Sequence, residues 1–452
     1  MGRRQPRPGA GRGRSRPPRA PSARGAPGRA DAAVTGSGPR DEPAALTSPA
    51  AAGPRPPRFA ALGHRNFRLL WGGLIVSNVG TWMQLVSQAW LVHEMTGRAT
   101  DLGILGLARA LPLILLSLVG GTIADRVDKR RLLYATQALA AGFALVQGVL
   151  TQLGWIQVWH IWLLGFLSAT VLAFDQPSRQ ALLPHLVPRG DFLSAIALMS
   201  VTFNGAAVLG PALAGLLVPA AGFASTFYLN GVSFGAVLVA LALLRLPAAP
   251  PRAAHPPVFR QVADGLSYIW GHPTLRALTL LAAAFGLFGA PYNQMLPVYR
   301  VVLHIDERAL GLLSSAPGLG TVLGGLVLAR FADLRGKGRL LVASAGLFVV
   351  AVIAFATSAH YVLSVAILVL VGACATAFSS TTQSLLQHTT EDRMRGRVVS
   401  MYTITVIGFQ PLGALDLGWA VDRLGAPLAI SAAALVVGVI ALVLLPRVKN
   451  LT

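Results

Sequence analysis

Ionisable side chains are sparse between Asn66 and Leu445, so each of them is a candidate for chemistry. A charge at membrane depth costs several kcal/mol and persists where it pairs, carries a proton or lines a substrate path. Arg109 and Asp416 both stand inside apolar runs. Asp175 and Arg179 are spaced i,i+4, which puts them on one helical face as an intrahelical pair, with a proton-carrying Asp175 as the sharper alternative. In the first apolar run Ser77, Thr81, Gln84 and Gln88 fall within about a third of the circumference of a helix at ~100° per residue. Such a stripe faces the bundle interior, as interhelical glue or, favoured by the mid-run depth of Gln84 and Gln88, as cavity lining. Pro291 breaks a later run and is followed by Tyr292, Asn293 and Gln294, which are expected to form the complementary wall of that cavity. Trp82 and Trp90 either stack on an aromatic substrate or serve packing and the lipid interface.

These side chains need elements that hold them in a membrane, and composition supplies them. Of the 452 residues, 54% are hydrophobic and 12% charged, with a mean hydropathy of +0.60. A soluble protein carries roughly 25% charged residues, so this is an integral membrane protein. The net charge of +21 could suggest a nucleic-acid partner, but the bases lie in a tail and in short loops between apolar runs, where they act as topology signals. No nucleic-acid partner is expected. The single cysteine, Cys374, excludes an internal disulfide and a cysteine-based zinc site.

Residues 1–58, rich in Pro, Gly, Ala and Arg, lack apolar periodicity and are expected to be a disordered basic cytoplasmic tail. They contain no apolar core of a secretory signal. Twelve apolar segments follow, at 66–92, 102–124, 132–153, 158–183, 192–217, 223–244, 275–301, 309–332, 340–358, 361–386, 398–419 and 427–445. Each is about long enough for a ~30 Å hydrocarbon core. They divide into an N-terminal half, 59–246, and a C-terminal half, 275–452, joined by 247–274. That linker places Phe259, Val262, Leu266 and Ile269 on one face of an amphipathic helix. Bases crowd the loops on the side of the termini, which puts both termini in the cytoplasm. The halves read as repeats: Arg179 to His185 aligns with Thr382 to His388, Gly210-Pro211 with Gln410-Pro411, and Asp125-Arg126 with Asp333 followed by Arg335. A duplicated six-plus-six bundle is an architecture of secondary transporters, with the path between the halves.

Over 66–445 the chain resembles the major facilitator superfamily. Gly121, Asp125, Arg126, Lys129, Arg130 and Arg131 resemble its motif A, with Asp128 where the pattern has a second glycine. Gly205, Gly210, Pro211 and Gly215 in the fifth segment resemble motif C, which in the superfamily marks exporters that exchange substrate for protons. Gln176-Pro177-Ser178-Arg179-Gln180-Ala181 resembles the enterobactin-exporter and macrolide-efflux branch, while the arginine of motif B is not visible in the fourth segment. The resemblance implies an all-α membrane protein of twelve transmembrane helices in two pseudo-symmetric six-helix halves. It implies that Asp125, with Arg126 and Arg130, latches the cytoplasmic side against the start of the eleventh helix, and that Asp333 is the echo of that latch. It also brings the second and eleventh helices face to face, so that Arg109 and Asp416 would pair when the outer side closes; the alternative is that each snorkels or hydrogen-bonds locally. The implied function is proton-coupled efflux of amphipathic small molecules, drugs or siderophore-like metabolites, by alternating access. A non-transporting scaffold or sensor is the competing class. No enzyme motif, cofactor or metal site is expected. The expected partners are a small-molecule substrate, protons and the lipid bilayer, for a monomer in the cell membrane.

Overall fold

In hydrocarbon every peptide group must find its partner within the protein, and a run of about 20 apolar residues does so as a helix. The computed structural model describes residues 59–244, 258–330 and 336–444, without the side chains of 117–126 and 258–263. The described residues form helices and no strand. In chain order α1 is Arg65–Thr96, α2 Ala99–Arg126, α3 Lys129–Gln152 and α4 Val158–Leu182. A single run, Phe192–Leu243, follows. The longer span that contains it, Arg189–Leu243, has 55 residues. As one straight rod it would reach roughly 80 Å, far beyond the bilayer core. It folds back at Gly222, whose φ of 74° and ψ of 170° suit glycine alone, giving α5 (192–221) and α6 (223–243).

The linker helix, Val258–Gly271, leads into α7. α7 spans Pro273–Val302, then come α8 Glu307–Arg330, α9 Lys337–Ala356, α10 Tyr361–Thr389, α11 Asp392–Leu424 and α12 Ala426–Leu444. Eleven spans among the described residues are long and apolar enough to cross a membrane, and the one bent at Gly222 crosses twice. The expected twelve crossings are therefore present. With an even number of crossings α1 starts and α12 ends on one face, called here the inner face, and the turn between α1 and α2 lies on the other, called the outer face.

The halves repeat each other's packing. α2 packs on α4 as α8 packs on α10, and α3 packs on α6 as α9 packs on α12. α1 lies so close to α6 that a Cβ on Gly73 would stand 2.9 Å from the Ala236 carbonyl oxygen. Between the halves, α2 meets α11 and α5 meets α8. The C-terminal half has an aromatic core, with Phe285 stacked on Phe378 at 4.6 Å and tilted on Phe348 at 4.8 Å. Exposed Leu115, Val201, Leu326 and Leu442 lie on the outside of the bundle, where lipid replaces water as the solvent.

Two irregularities bear on function. α7 leaves α-geometry for a π turn at Phe285–Gly289 and a 3-10 stretch at Ala290–Val298, where Pro291 and Pro297 lack the amide hydrogens an α-helix would use. The linker helix lies against α11 through an Asp264–Arg397 pair at 3.0 Å and the approach of Gly265 to Met401. Of its expected apolar face Ile269 is buried, whereas Leu266 is exposed. The tail, Asp333, and the side chains of Asp125 and Arg126 lie outside the described residues, and the expected cytoplasmic latch lies there with them.

Candidate functional site

The halves touch backbone to backbone where glycine permits it, at the outer ends and, where Gly318 meets Ala207, midway along α8 and α5. A Cβ on Gly103 of α2 would stand 2.5 Å from Leu415 Cα, and one on Gly418 of α11 2.5 Å from the Ala99 carbonyl oxygen. On the second seam a Cβ on Gly311 of α8 would stand 2.6 Å from Gly215 Cα of α5, with the Pro211 carbonyl oxygen at 2.8 Å. These positions are the outer ends of their helices. α4 packs on α1, α2 and α3 of its own half, and α10 on α7, α8, α9 and α11 of its own. The described contacts thus join the two halves at the outer ends.

Two polar clasps close the same outer face. The first two amides of α2 have no acceptor from the preceding residue, Arg98. Asp422 at the end of α11 supplies it: Oδ1 accepts from Ala99 N at 2.6 Å, and Oδ2 accepts from Thr100 N at 2.9 Å and from the Thr100 hydroxyl. A carboxylate at a helix N-terminus satisfies free donors and meets the positive end of the dipole. Here the cap comes from the opposite half. Arg300, near the end of α7, pairs with Glu94 of α1 at 3.3 Å and with Glu307 of α8. Glu94 is half exposed, so that pair contributes orientation more than energy.

Deeper in the N-terminal half lies a chain of amides. Asn230 Nδ2 of α6 donates to Gln84 Oε1 at 2.5 Å, while Gln84 Nε2 and Gln88 Nε2 donate to Gln147 Oε1 of α3 at 3.2 and 2.5 Å. Arg109 of α2 ends the chain by donating to Gln88 Oε1 and to the Leu85 carbonyl at 3.4 Å. Gln84, Gln88, Gln147 and Asn230 are all buried. The polar stripe of α1 is therefore interhelical glue toward α3 and α6, and the expectation that Gln84 and Gln88 line a cavity is corrected. Periodicity told which face is interior but not which neighbour covers it.

Asp175, only 2% exposed, sits toward the inner end of α4. Its Oδ1 accepts from Thr136 Oγ1 at 2.9 Å and Gln137 Nε2 at 2.7 Å, both on α3. Arg179 Nε stands 2.5 Å from Oδ2, an ion pair by distance although off the hydrogen-bond direction. The i,i+4 pair is formed, and α3 adds two donors that the sequence did not announce.

Other expected residues separate. Arg109 and Asp416 are not paired although the outer ends are closed: Arg109 turns to Gln88, and Asp416 is exposed with no partner among the described residues. The acid of α11 that reaches α2 is Asp422, six residues further on, because the seam at Gly103 and Gly418 turns that side of α11 inward. Tyr292 packs edge-on to Phe348 in the C-terminal core at 6.2 Å, which corrects its placement in a cavity wall. Asn293 is exposed, and Gln294 lies half-buried against Gly106 of α2. Gly210 lets α5 rest on Trp82, where a Cβ on Gly210 would stand 2.5 Å from Trp82 Cβ, and Trp82 also meets Phe203 edge-on; Trp90 is buried against Phe223. Both tryptophans pack. Gly205 faces open space. Arg130 donates to the Ala242 carbonyl at 3.0 Å, near the end of α6. Asp128, where the resembled pattern has glycine, accepts from Arg131 N at 2.8 Å and is the N-cap of α3. Sequence reasoning missed Asp422, Gln147 and Asn230; the polar depth of Gln147 and Asn230 within apolar runs was the available signal.

Residues 57–451 match the family model described as transmembrane secretion effector. The multidrug efflux pump Tap of Mycolicibacterium fortuitum is 26% identical over 83% of this chain and 95% of its own. The enterobactin exporter EntS of Citrobacter koseri is 25% identical over 78% of this chain and 85% of its own. Among solved structures, a bacterial homologue of the human lysosomal transporter Spinster, in an inward-facing and unoccupied conformation, aligns with a TM-score of 0.69 at 13% identity, over 85% of this chain and 97% of that one.

Proposed function

The chain belongs to the transmembrane secretion effector family of the major facilitator superfamily, and from that membership we propose that it exports amphipathic small molecules in exchange for protons, by alternating access. It is a multi-pass membrane transporter and not an enzyme. One observation carries the alternating-access reading: the halves meet at their outer ends through bare backbone contacts and a removable carboxylate cap. Such contacts carry little side-chain interlock, so two rigid halves can part there and close at the inner ends instead. Relatives named as a drug efflux pump and a siderophore exporter support the outward direction and the amphipathic substrate class. The basic loops support a cell-membrane protein with both termini in the cytoplasm.

Asp175 remains the candidate for a proton carrier on the inner side, and Asp125 with Asp333 for the inner latch. Purified protein in liposomes with an imposed pH gradient tests the reading directly. Dye flux that follows the gradient and collapses with a protonophore supports antiport. Flux that ignores the gradient overturns proton coupling, and no flux of any dye in either direction favours a scaffold or sensor.

A further inference from the structure

Among the described residues Arg109 is a cation without a counter-charge. It stands ten residues into α2, about 15 Å from the outer end and near mid-membrane. No carboxylate of the described residues lies within ion-pair distance; its partners are the neutral Gln88 and Leu85 oxygens. An unanswered charge at this depth costs several kcal/mol and is functional by default. The surroundings fix it in place. Gln147 Oε1 takes the amides of both Gln84 and Gln88, so Gln88 can present only its oxygen to the guanidinium. Both of Arg109's bonds leave from Nη2, and Nη1 and Nε have no partner among the described residues.

The guanidinium lies on the side of α2 that meets α1 and α4. Leu111 and Leu115 of α2 are strongly exposed and mark its lipid side, about 160° and 120° around the helix from Arg109. Arg109 instead wedges between α1 and α4, where its Cγ would lie 3.5 Å from a Cβ on Gly165, and it keeps accessible surface. One turn outward on the same helix, Gly106 admits the Gln294 side chain of α7 against the α2 backbone. The Gln294 amide has no hydrogen bond among the described residues and is half-buried. A forked guanidinium and a primary amide, both with donors to spare among the described residues, thus stand about one turn apart along α2. Among organic groups a carboxylate matches that donor set, since it takes two parallel N–H bonds from arginine.

We propose that Arg109, assisted by Gln294, is the anion-binding subsite of the transport path and selects substrates that carry a carboxylate. This deepens the transport reading above and rests on it. The site then prefers organic acids to the lipophilic cations that a path lined by carboxylates would take.

The test compares two dyes of one xanthene skeleton, a free carboxylic acid and its ethyl ester, with the full-length protein. Binding is read in detergent by quenching of tryptophan fluorescence, and flux in liposomes under a pH gradient. The acid is expected to bind at least about tenfold more tightly than the ester, the size of one charge-assisted contact. Arg109→Gln should bring the acid to the ester's affinity and leave the ester unchanged. Arg109→Lys, which keeps the charge but not the fork, should fall between. Gln294→Ala should weaken the acid alone by about threefold, and together with Arg109→Lys it decides the matter if Arg109→Gln does not fold. Equal affinity for the two dyes, no binding of the acid, or an equal loss for both dyes in Arg109→Gln would overturn the proposal. Selective binding of the acid without gradient-driven flux upholds the subsite and removes the transport reading. Flux of both dyes at equal rates does the reverse.

Discussion

Single side chains carry the sharpest expectations. Asp422 caps α2 from the other half, and a lost cap costs about 1 kcal/mol, more when charge is lost with it. Asp422→Ala should therefore shift the balance between outer-closed and outer-open states by at least about fivefold toward open. Maleimide labelling of a cysteine placed on the outer seam, in a Cys374→Ser background, would read the shift; unchanged labelling would show that the cap does not hold the gate. Asp175 tests another balance. Asp175→Asn strands Arg179 and should lower stability by roughly 3 kcal/mol, the low end for a buried pair because Arg179 keeps some access to solvent. The double variant Asp175→Asn/Arg179→Gln should melt higher in detergent than the single one, since it removes the stranded charge. If instead Asp175→Asn melts normally but loses gradient dependence, the carboxyl belongs to proton coupling. The sequence made the Asp175–Arg179 pair readable because i,i+4 spacing is local. It misassigned Arg109 and Asp416 because the choice between two acids on α11 depends on helix rotation about a seam, which no local pattern encodes.

At the level of elements, the fifth helix separates packing from backbone signature. Gly215 and Gly311 face each other with no room for a methyl group, whereas Gly205 opens on space. Gly311→Val should keep α5 and α8 apart at their outer ends and cost about 1–3 kcal/mol of the outer-closed state, while Gly205→Ala should be nearly silent. Outer-side labelling of the two variants distinguishes them; equal effects would mean that the glycines act through helix flexibility and not through contact. The helices themselves were legible from length and hydropathy, as was the break of α7 at Pro291. The burial of Gln84 and Gln88 was not, because a polar face satisfied by Gln147 and Asn230 looks the same in sequence as one that faces water. Asp128 was likewise opaque until its partner, the Arg131 amide, was seen to make it a cap.

Across the whole molecule, duplication explains why the seams come in pairs, α2 with α11 and α5 with α8. A short bismaleimide joining Glu94→Cys to Arg300→Cys, with Cys374 replaced by serine, should hold the outer face shut and abolish flux while leaving substrate binding from the inner side intact. Flux that survives full cross-linking would rule out rocking about this seam. The six-plus-six arrangement was readable from apolar runs and internal repeats, but the state of the gate was not, because both states use the same sequence. The cap that α11 lends to α2 has one more consequence. The amides of Ala99 and Thr100 are protected only while the halves are together, so each opening hands them to water. Their hydrogen exchange then keeps time for the transport cycle, slowing when a ligand holds the outer face closed and quickening when one draws it open.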